Sequence, residues 1–181
     1  MTAVGRLTLV SHAGTEAMST ARFPDDEPLN TVGLRQARGV AHLALRADTQ
    51  QRCGPEQRTR QTAQLIGLHA QDDPALADLD CGRWRGQSLD TVPPEDLHCW
   101  LTEPSQAPHG GESIIDLIDR VTGWLSAMRR SRTVAVTHPA VIRAAMLIAL
   151  DSPPQSFWRI DIAPASCTRL HYRGLNWTLK L

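Results

Sequence analysis

Two short apolar runs, each ending in a histidine, constrain the fold of this chain more than anything else in it. Arg6-Leu7-Thr8-Leu9-Val10 leads into Ser11-His12, and Thr133-Val134-Ala135-Val136-Thr137 leads into His138. Apolar, β-branched runs of this length read as buried strands. Each is followed by residues suited to a helix start: the small segment Ala13 to Thr20 after the first, Pro139 after the second. Proline is favoured at the first helical position because that N–H has no intrahelical partner to lose. Strand, histidine, helix, twice over, predicts neighbouring parallel strands that bring both imidazoles to one sheet edge. Open α/β sheets bind ligands at that edge. Helix N-termini there aim backbone N–H groups at the same point, which makes an anion site. Arg58, opening a further helix, adds a bidentate fork. Two histidines, an arginine and helix dipoles describe a site for a phosphoryl group. Metal binding is the rival reading of two histidines, but no carboxylate or thiol follows either one at a short ligand spacing.

The rest of the chain fits a βα alternation. A proline-bounded loop, Arg22 to Leu29, precedes a helix over 32–47, capped by Asn30 or Thr31 and carrying Leu34, Ala37, Ala41 and Leu45 at helical spacing. Polar 48–53 reads as a strand only because the alternation needs one there. After Gly54-Pro55, a helix runs over 56–68. Proline-rich 72–108, with Trp84 and Trp100, predicts loops and short helices that form an irregular cap over one end of the sheet. Ser113 with Asp116 is a capping pair for a helix striped with Ile114, Leu117, Ile118, Val121, Leu125 and Met128. Arg129, Arg130 and Arg132 read as its solvated end. A helix over 140–150 follows the second histidine. Strands are then expected over 159–163, 167–172 and 176–181. The fold class is α/β, a three-layer α/β/α sandwich with a mostly parallel sheet, in one domain spanning 1–181.

Composition narrows the partners. With 181 residues, 41% apolar and 21% charged, the chain is expected to build a full hydrophobic core. Net charge is zero, and apart from Lys180 the 19 basic residues are all arginines. No extended basic block supports nucleic-acid binding. Arginine forks instead suit a small anion such as a phosphate. Cys53, Cys81, Cys99 and Cys167 form no C-x-x-C pair or metal spacing. No charged leader with an apolar h-region opens the sequence, and no run reaches the ~18 apolar residues of a membrane span. A cytoplasmic protein with reduced thiols and no membrane partner is expected.

The motifs, taken in order, resemble the histidine phosphatase superfamily, the phosphoglycerate-mutase-like fold. Leu9-Val10-Ser11-His12-Ala13-Gly14-Thr15 stands in place of its strand-end Arg-His-Gly motif. Pro28-Leu29-Asn30 with Gly33 and Gln36-Ala37 is similar to its P-L-T-x-x-G-x-x-Q-A segment, and Arg58-Thr59-Arg60-Gln61-Thr62-Ala63 to its R-A-x-Q-T-A helix start. Leu76-Ala77-Asp78 with Gly82, Trp84 and Gly86 resembles L-x-E-x-x-x-G-x-W-x-G. Gly110-Gly111-Glu112-Ser113 and Thr137-His138 with Val141-Ile142-Arg143 complete the set.

The resemblance implies a role for each matching residue. His12 is the nucleophile that becomes phosphorylated, in its neutral form. His138 and Arg58 hold the equatorial oxygens. Asp78, or Asp80 in its stead, is the acid that protonates the leaving oxygen and then activates water. Ser11, Thr15 and Arg22 line the substrate. No metal and no cofactor are implied, and a small phosphorylated metabolite or phosphate is the partner, with a homodimer left open. Two departures stand out. Ser11 replaces the arginine before the nucleophile, and Pro139 after the second histidine has no N–H to offer. Arg22, Arg83, Arg85 or Arg143 is the candidate replacement guanidinium. The reading is a phosphomonoesterase of small metabolites. The alternatives are a non-catalytic phospho-ligand binder on the same fold and, less favoured because the span from His12 to His138 is short for cap insertions, a phosphoglycerate mutase.

Overall fold

A computed structural model describes residues 4–40, 43 and 45–180. In chain order the elements are β1 (Gly5–Ser11), α1 (Glu16–Ser19), α2 (Thr31–Gly39), β2 (Gln50–Cys53), α3 (Gln57–Leu65) and β3 (Gln71–Asp72). They continue with α4 (Pro94–Thr102), α5 (Ile114–Met128), β4 (Arg132–Thr137), α6 (Pro139–Leu150), β5 (Cys167–Arg173) and β6 (Asn176–Lys180). The sheet runs in the order β3-β2-β4-β1-β5-β6. Its first four strands are parallel, and β5 pairs antiparallel with both β1 and β6.

Side chains alternate across a strand, so the apolar runs of β1 and β4 feed two separate cores. Leu7, Leu9 and Ala135 turn toward Leu117, Val121 and Leu125 of α5 and Val141, Ile142 and Ala145 of α6. Val10, Val134 and Val136 turn the other way, onto Ala63 and Ile66 of the α3 segment. With α2 packed on α3, the result is the three-layer sandwich that the sequence predicts. Each fully buried aliphatic side chain contributes about 1.5–3 kcal/mol, which is why the paired central strands anchor both layers.

The local signals hold best at α5. Ser113 Oγ accepts from the Asp116 N–H and an Asp116 carboxylate oxygen accepts from the Ser113 N–H, a reciprocal capping box. Three expectations change. The helix expected over 32–47 ends at Gly39: Val40 turns to extended backbone, and Val40 and Leu43 pack against the α3-side core. Residues 41, 42 and 44 lie outside those described. The strand expected over 159–163 does not form. Pro154–Arg159 is a short 3-10 helix, Phe157 and Ile162 are buried under the α6 face, and the Ile160 carbonyl accepts from the Arg143 side chain instead of a neighbouring strand. Pro164 bounds the segment and offers no N–H with which a ladder could continue. Arg132 opens β4 rather than ending a helix.

Segment 72–108 contains the 3-10 turns Pro74–Leu76, Gly82–Trp84 and Leu89–Thr91 before α4. Packed aromatic rings tie it to the body of the protein: Phe23 to Trp84 at 5.1 Å, Trp84 to Trp100 at 5.7 Å and Trp100 to Trp158 at 4.4 Å between centroids. On the other side of the β1 exit, α2 crosses Gly14 so closely that a Cβ on Gly33 would run into the Gly14 carbonyl. The next turn of α2 then reaches the same loop, with Gln36 Oε1 accepting from the Gly14 N–H at 2.9 Å.

Gly33→Ala is therefore expected to cost about 1–3 kcal/mol through overpacking, lowering Tm by roughly 2–12 °C. Gly39→Ala, whose Cβ would meet nothing within 4 Å, is expected to be neutral or slightly stabilising. Equal melting temperatures for the two variants would show that the crossing is not close-packed.

Candidate active site

The strand register decides where the two histidines meet. In the parallel β1–β4 pair, Ser11 lies opposite Thr137. The next residues, His12 and His138, leave the sheet side by side, with the His12 N–H donating to the Thr137 carbonyl at 2.9 Å. Their rings are 5.1 Å apart, edge to face. Both side chains are buried.

His12 is held in one tautomer. Its Nδ1 is 2.8 Å from the Ala13 carbonyl oxygen. A carbonyl only accepts, so Nδ1 carries the proton and Nε2 keeps its lone pair. Burial pushes the imidazole pKa down to about 3, and the charges of His138 and Arg58 push the same way. The ring is neutral across the physiological range.

His138 is the opposite case. Burial alone pushes its pKa down, but the Asp78 charge, reinforced by Glu56, outweighs it and leaves the pKa raised. Its Nε2 donates to Glu56 Oε2 at 2.7 Å, and Nδ1 stands 3.3 Å from Asp78 Oδ2 without an aligned hydrogen bond. With a carboxylate at each nitrogen, the charged form of the ring is favoured.

Arg58 sits in the first turn of α3, fully buried. Its Nη2 donates to Asp78 Oδ2 at 2.7 Å, and Nη1 lies 4.0 Å from Glu27. Its Nε and Nη1 find no acceptor among the described residues. Asp78 is thus shared between Arg58 and His138. Burial pushes its carboxyl up, but the His138 charge and contact, then Arg58, hold it well below the usual range. Glu56 is pushed up by burial and held below its ordinary value by His138, and its other oxygen accepts from the Asp78 N–H at 3.0 Å.

His12, Arg58 and Asp78 open onto one cavity of about 190 Å³. Thr15 and Arg22 also line it. Thr15 caps α1 through its hydroxyl, and Arg22 is anchored by two bonds to the Gly86 carbonyl at 2.9 and 3.2 Å. The outer walls are apolar, with Phe23, Trp100 and Trp158 prominent. Ser11 is not brought in: its hydroxyl turns to the His12 carbonyl at 3.4 Å, and it does not line the cavity. Asp80 is likewise outside, facing a separate hollow beside Glu112 and Arg120. Of the four candidate replacement arginines, Arg83 lies toward Asp96 and Arg85 toward Asp80, on the surface. Arg22 and Arg143 line the cavity, Arg143 being laid over Phe157 and Trp158 at 5.7 and 5.4 Å.

Sequence reasoning missed Glu56 and Glu27. A glutamate at a helix start is an ordinary complement to the dipole, and nothing local marks Glu56 as the partner of a histidine 82 positions away. The one hint is Gly54, where a Cβ would come within 3.0 Å of His138 Nε2 and 2.9 Å of the Leu76 carbonyl.

The sequence matches the histidine phosphatase superfamily (branch 1) over residues 7–181. The chain belongs to that family. Phosphoserine phosphatase 1 of Hydrogenobacter thermophilus is 29% identical over 92% of this chain and 86% of its own. A probable phosphoglycerate mutase, GpmB, of Yersinia enterocolitica is 28% identical over 93% and 86%. Among solved structures, mycobacterial glucosyl-3-phosphoglycerate phosphatase Rv2419c superposes with a TM-score of 0.81 over 98% of each chain at 23% identity. A putative α-ribazole-5'-P phosphatase from Escherichia coli gives 0.83 over 98% of this chain and 95% of its own, at 22%. The relatives thus carry both phosphatase and mutase names on the histidine phosphatase fold.

Imidazole NMR tests the electrostatics. His12 is expected to show a neutral ring protonated at Nδ1 from pH 8 down to at least pH 4, while His138 stays doubly protonated at pH 7. The linkage signs differ. The unfolded chain protonates His12 near 6.5 and the folded chain only near 3, so this residue makes stability fall as pH drops through that window. The raised His138 contributes stability below 6.5 and loses it as pH rises through its folded value. A His12 titration near 6.5 would refute the assignment.

Proposed function

We propose that this protein is a phosphomonoesterase that hydrolyses a small phosphorylated metabolite through a phosphohistidine on His12. One observation carries the reading: a bare, neutral Nε2 stands beside three buried donors without hydrogen-bond acceptors among the described residues, Arg58 Nε, Arg58 Nη1 and His138 Nδ1. Buried donors without partners each cost about 1–3 kcal/mol, more when charged. A phosphoryl group set between His12, Arg58 and His138 satisfies them and meets the nucleophile at once.

In the first step the Nε2 lone pair forms the N–P bond as the ester P–O bond breaks. The leaving oxygen takes a proton from Asp78. That carboxylate is ionised in the empty site, held so by His138 and Arg58. A phosphoryl dianion that engages those two cations withdraws them from Asp78 and raises its proton affinity, so Asp78 takes up a proton from solvent on binding while His138 keeps its own. In the second step water attacks phosphorus, Asp78 accepts its proton, the P–N bond breaks and inorganic phosphate leaves with His12 restored. No metal enters this scheme, because Arg58 and His138 supply the positive charge facing the oxygens. Thr15 and Arg22, which also line the cavity, would meet the rest of the substrate.

The same contacts favour one second reading. Asp78, Glu56 and Glu27 crowd the two cations Arg58 and His138, and Ser11 supplies no guanidinium. Each missing charge-assisted bond of about 1.5–3 kcal/mol lowers transition-state binding by roughly 10- to 100-fold. A member so neutralised would hold phospho-ligands without turning them over.

A screen of phosphorylated metabolites for phosphate release separates the two. Turnover is expected, abolished in His12→Ala, with an acid-labile, base-stable phosphoryl adduct on His12 in the wild-type protein. Phosphate binding without release from any substrate would establish the binder. Ser11→Arg reports on the missing fork. Ser11 is fully buried at the end of β1 and does not line the cavity, so the larger side chain is expected to overpack the strand end and lower kcat/KM. A tenfold rise instead would show that the pocket lacked only that charge.

A further inference from the structure

The end of the sheet away from His12 carries a second set of charges that the proposed chemistry does not use. Arg6, Arg132, Arg169, His171 and Lys180 line a cavity of about 240 Å³ beside Thr8, Thr49 and Thr133. They come from four adjacent strands, β4, β1, β5 and β6. The pairing places them directly across from one another: Arg6 opposite both Arg132 and His171, and Arg169 opposite Lys180. On β1 the two sites are six residues apart, about 20 Å along the strand.

Like charges directly opposed on neighbouring strands are destabilising. Among the described residues, the anion paired into this set is Asp48, 3.7 Å from Arg132, and it also faces Arg46 at 3.7 Å. Two buried polar atoms of residues lining the cavity, Arg132 Nε and Thr49 Oγ1, have no hydrogen-bond partner among the described residues. The His171 pKa is lowered by its burial and then by Arg173, Lys180, Arg6 and Arg132, as a positive potential at this face requires. In a chain whose net charge is zero, this concentration costs stability and the fold gains nothing from it. A concentration of that kind reads as a binding site.

We infer that this strand face binds a compact anion carrying two or more phosphoryl groups. The four strands span three spacings of roughly 4.8 Å each, too wide for one phosphate to reach every cation, while arginine forks match phosphate oxygens. Arg6, Arg132, Arg169 and Lys180 line one cavity of about 240 Å³, and Arg173, 3.5 Å from His171, extends the set by one position on β5. A cavity of that volume takes a small molecule rather than a nucleic-acid strand.

Inorganic tripolyphosphate is the probe, with melting temperature read at fixed ionic strength. Arg169→Gln/Lys180→Gln is expected to melt higher than the wild-type protein in probe-free buffer, because it removes an opposed like-charge pair. It is also expected to lose at least four-fifths of the rise in Tm that the probe gives the wild-type protein. Arg58→Gln is expected to keep that rise, which separates this site from the one around His12. No rise in the wild-type protein would overturn the inference, as would a full rise in Arg169→Gln/Lys180→Gln or one lost only in Arg58→Gln. Binding of a 20-nucleotide single-stranded RNA more tightly than tripolyphosphate at 0.15 M salt would assign the face to a polymer and overturn it too. Phosphatase turnover is not the readout, so neither result depends on the reading of the His12 site.

Discussion

The alignment of Ser11 with Thr137 across the parallel β1–β4 pair is the constraint on which the rest depends. A slip of one residue would turn every side chain of a strand to the opposite face. Leu7 and Leu9 would exchange cores with Val10, and His12 would no longer leave the sheet beside His138. The apolar burial that holds the sandwich together is therefore also what sets the two rings 5.1 Å apart. Site geometry comes with the core and needs no separate device.

Charge is handled differently. Arg58 and His138 are buried with Asp78 and Glu56, and a buried cation without partners would cost several kcal/mol. The carboxylates make the empty site tolerable, yet they also compete with any phosphoryl group for the same donors. Asp78 Oδ2 is the centre of that competition, at 2.7 Å from Arg58 and 3.3 Å from His138. The shorter aspartate, in place of the glutamate that the family motif carries there, sits directly between the two cations. Burial treats the two histidines alike, pushing both pKa values down. Only the placement of the carboxylates favours the charged form of one and leaves the other a neutral base.

The two ends of the β1–β4 pair stand in contrast. At the His12 end the cations are neutralised from within the protein. At the Arg6 end they face one another across strand spacings, with Asp48 beside Arg132 as the paired anion among the described residues. The first arrangement buries its cost in ion pairs, and the second spreads it over opposed like charges at the surface.

Much of this was legible in residue order. Continuous apolar runs and helical patterns named β1, β4, α3, α5 and α6, because burial on both faces demands continuous apolar runs and burial on one demands a stripe. The strand-terminal histidines and Arg58 were readable because a chain that alternates strand and helix must bring strand ends together. What the sequence by itself determined was thus the fold class and the meeting of His12, His138 and Arg58 at one sheet edge. Tertiary structure alone decided the partners: Glu56 on His138, Glu27 near Arg58, Ser11 and Asp80 turned away, Arg143 laid over Trp158. It also ended α2 at Gly39 and withheld a strand over 159–163, where proline and core packing outweighed the apolar pattern. The physical reason is common to all of these. Periodicity reports which face of an element is buried, whereas side-chain contacts across tens of residues depend on how faces meet, and no local pattern encodes that.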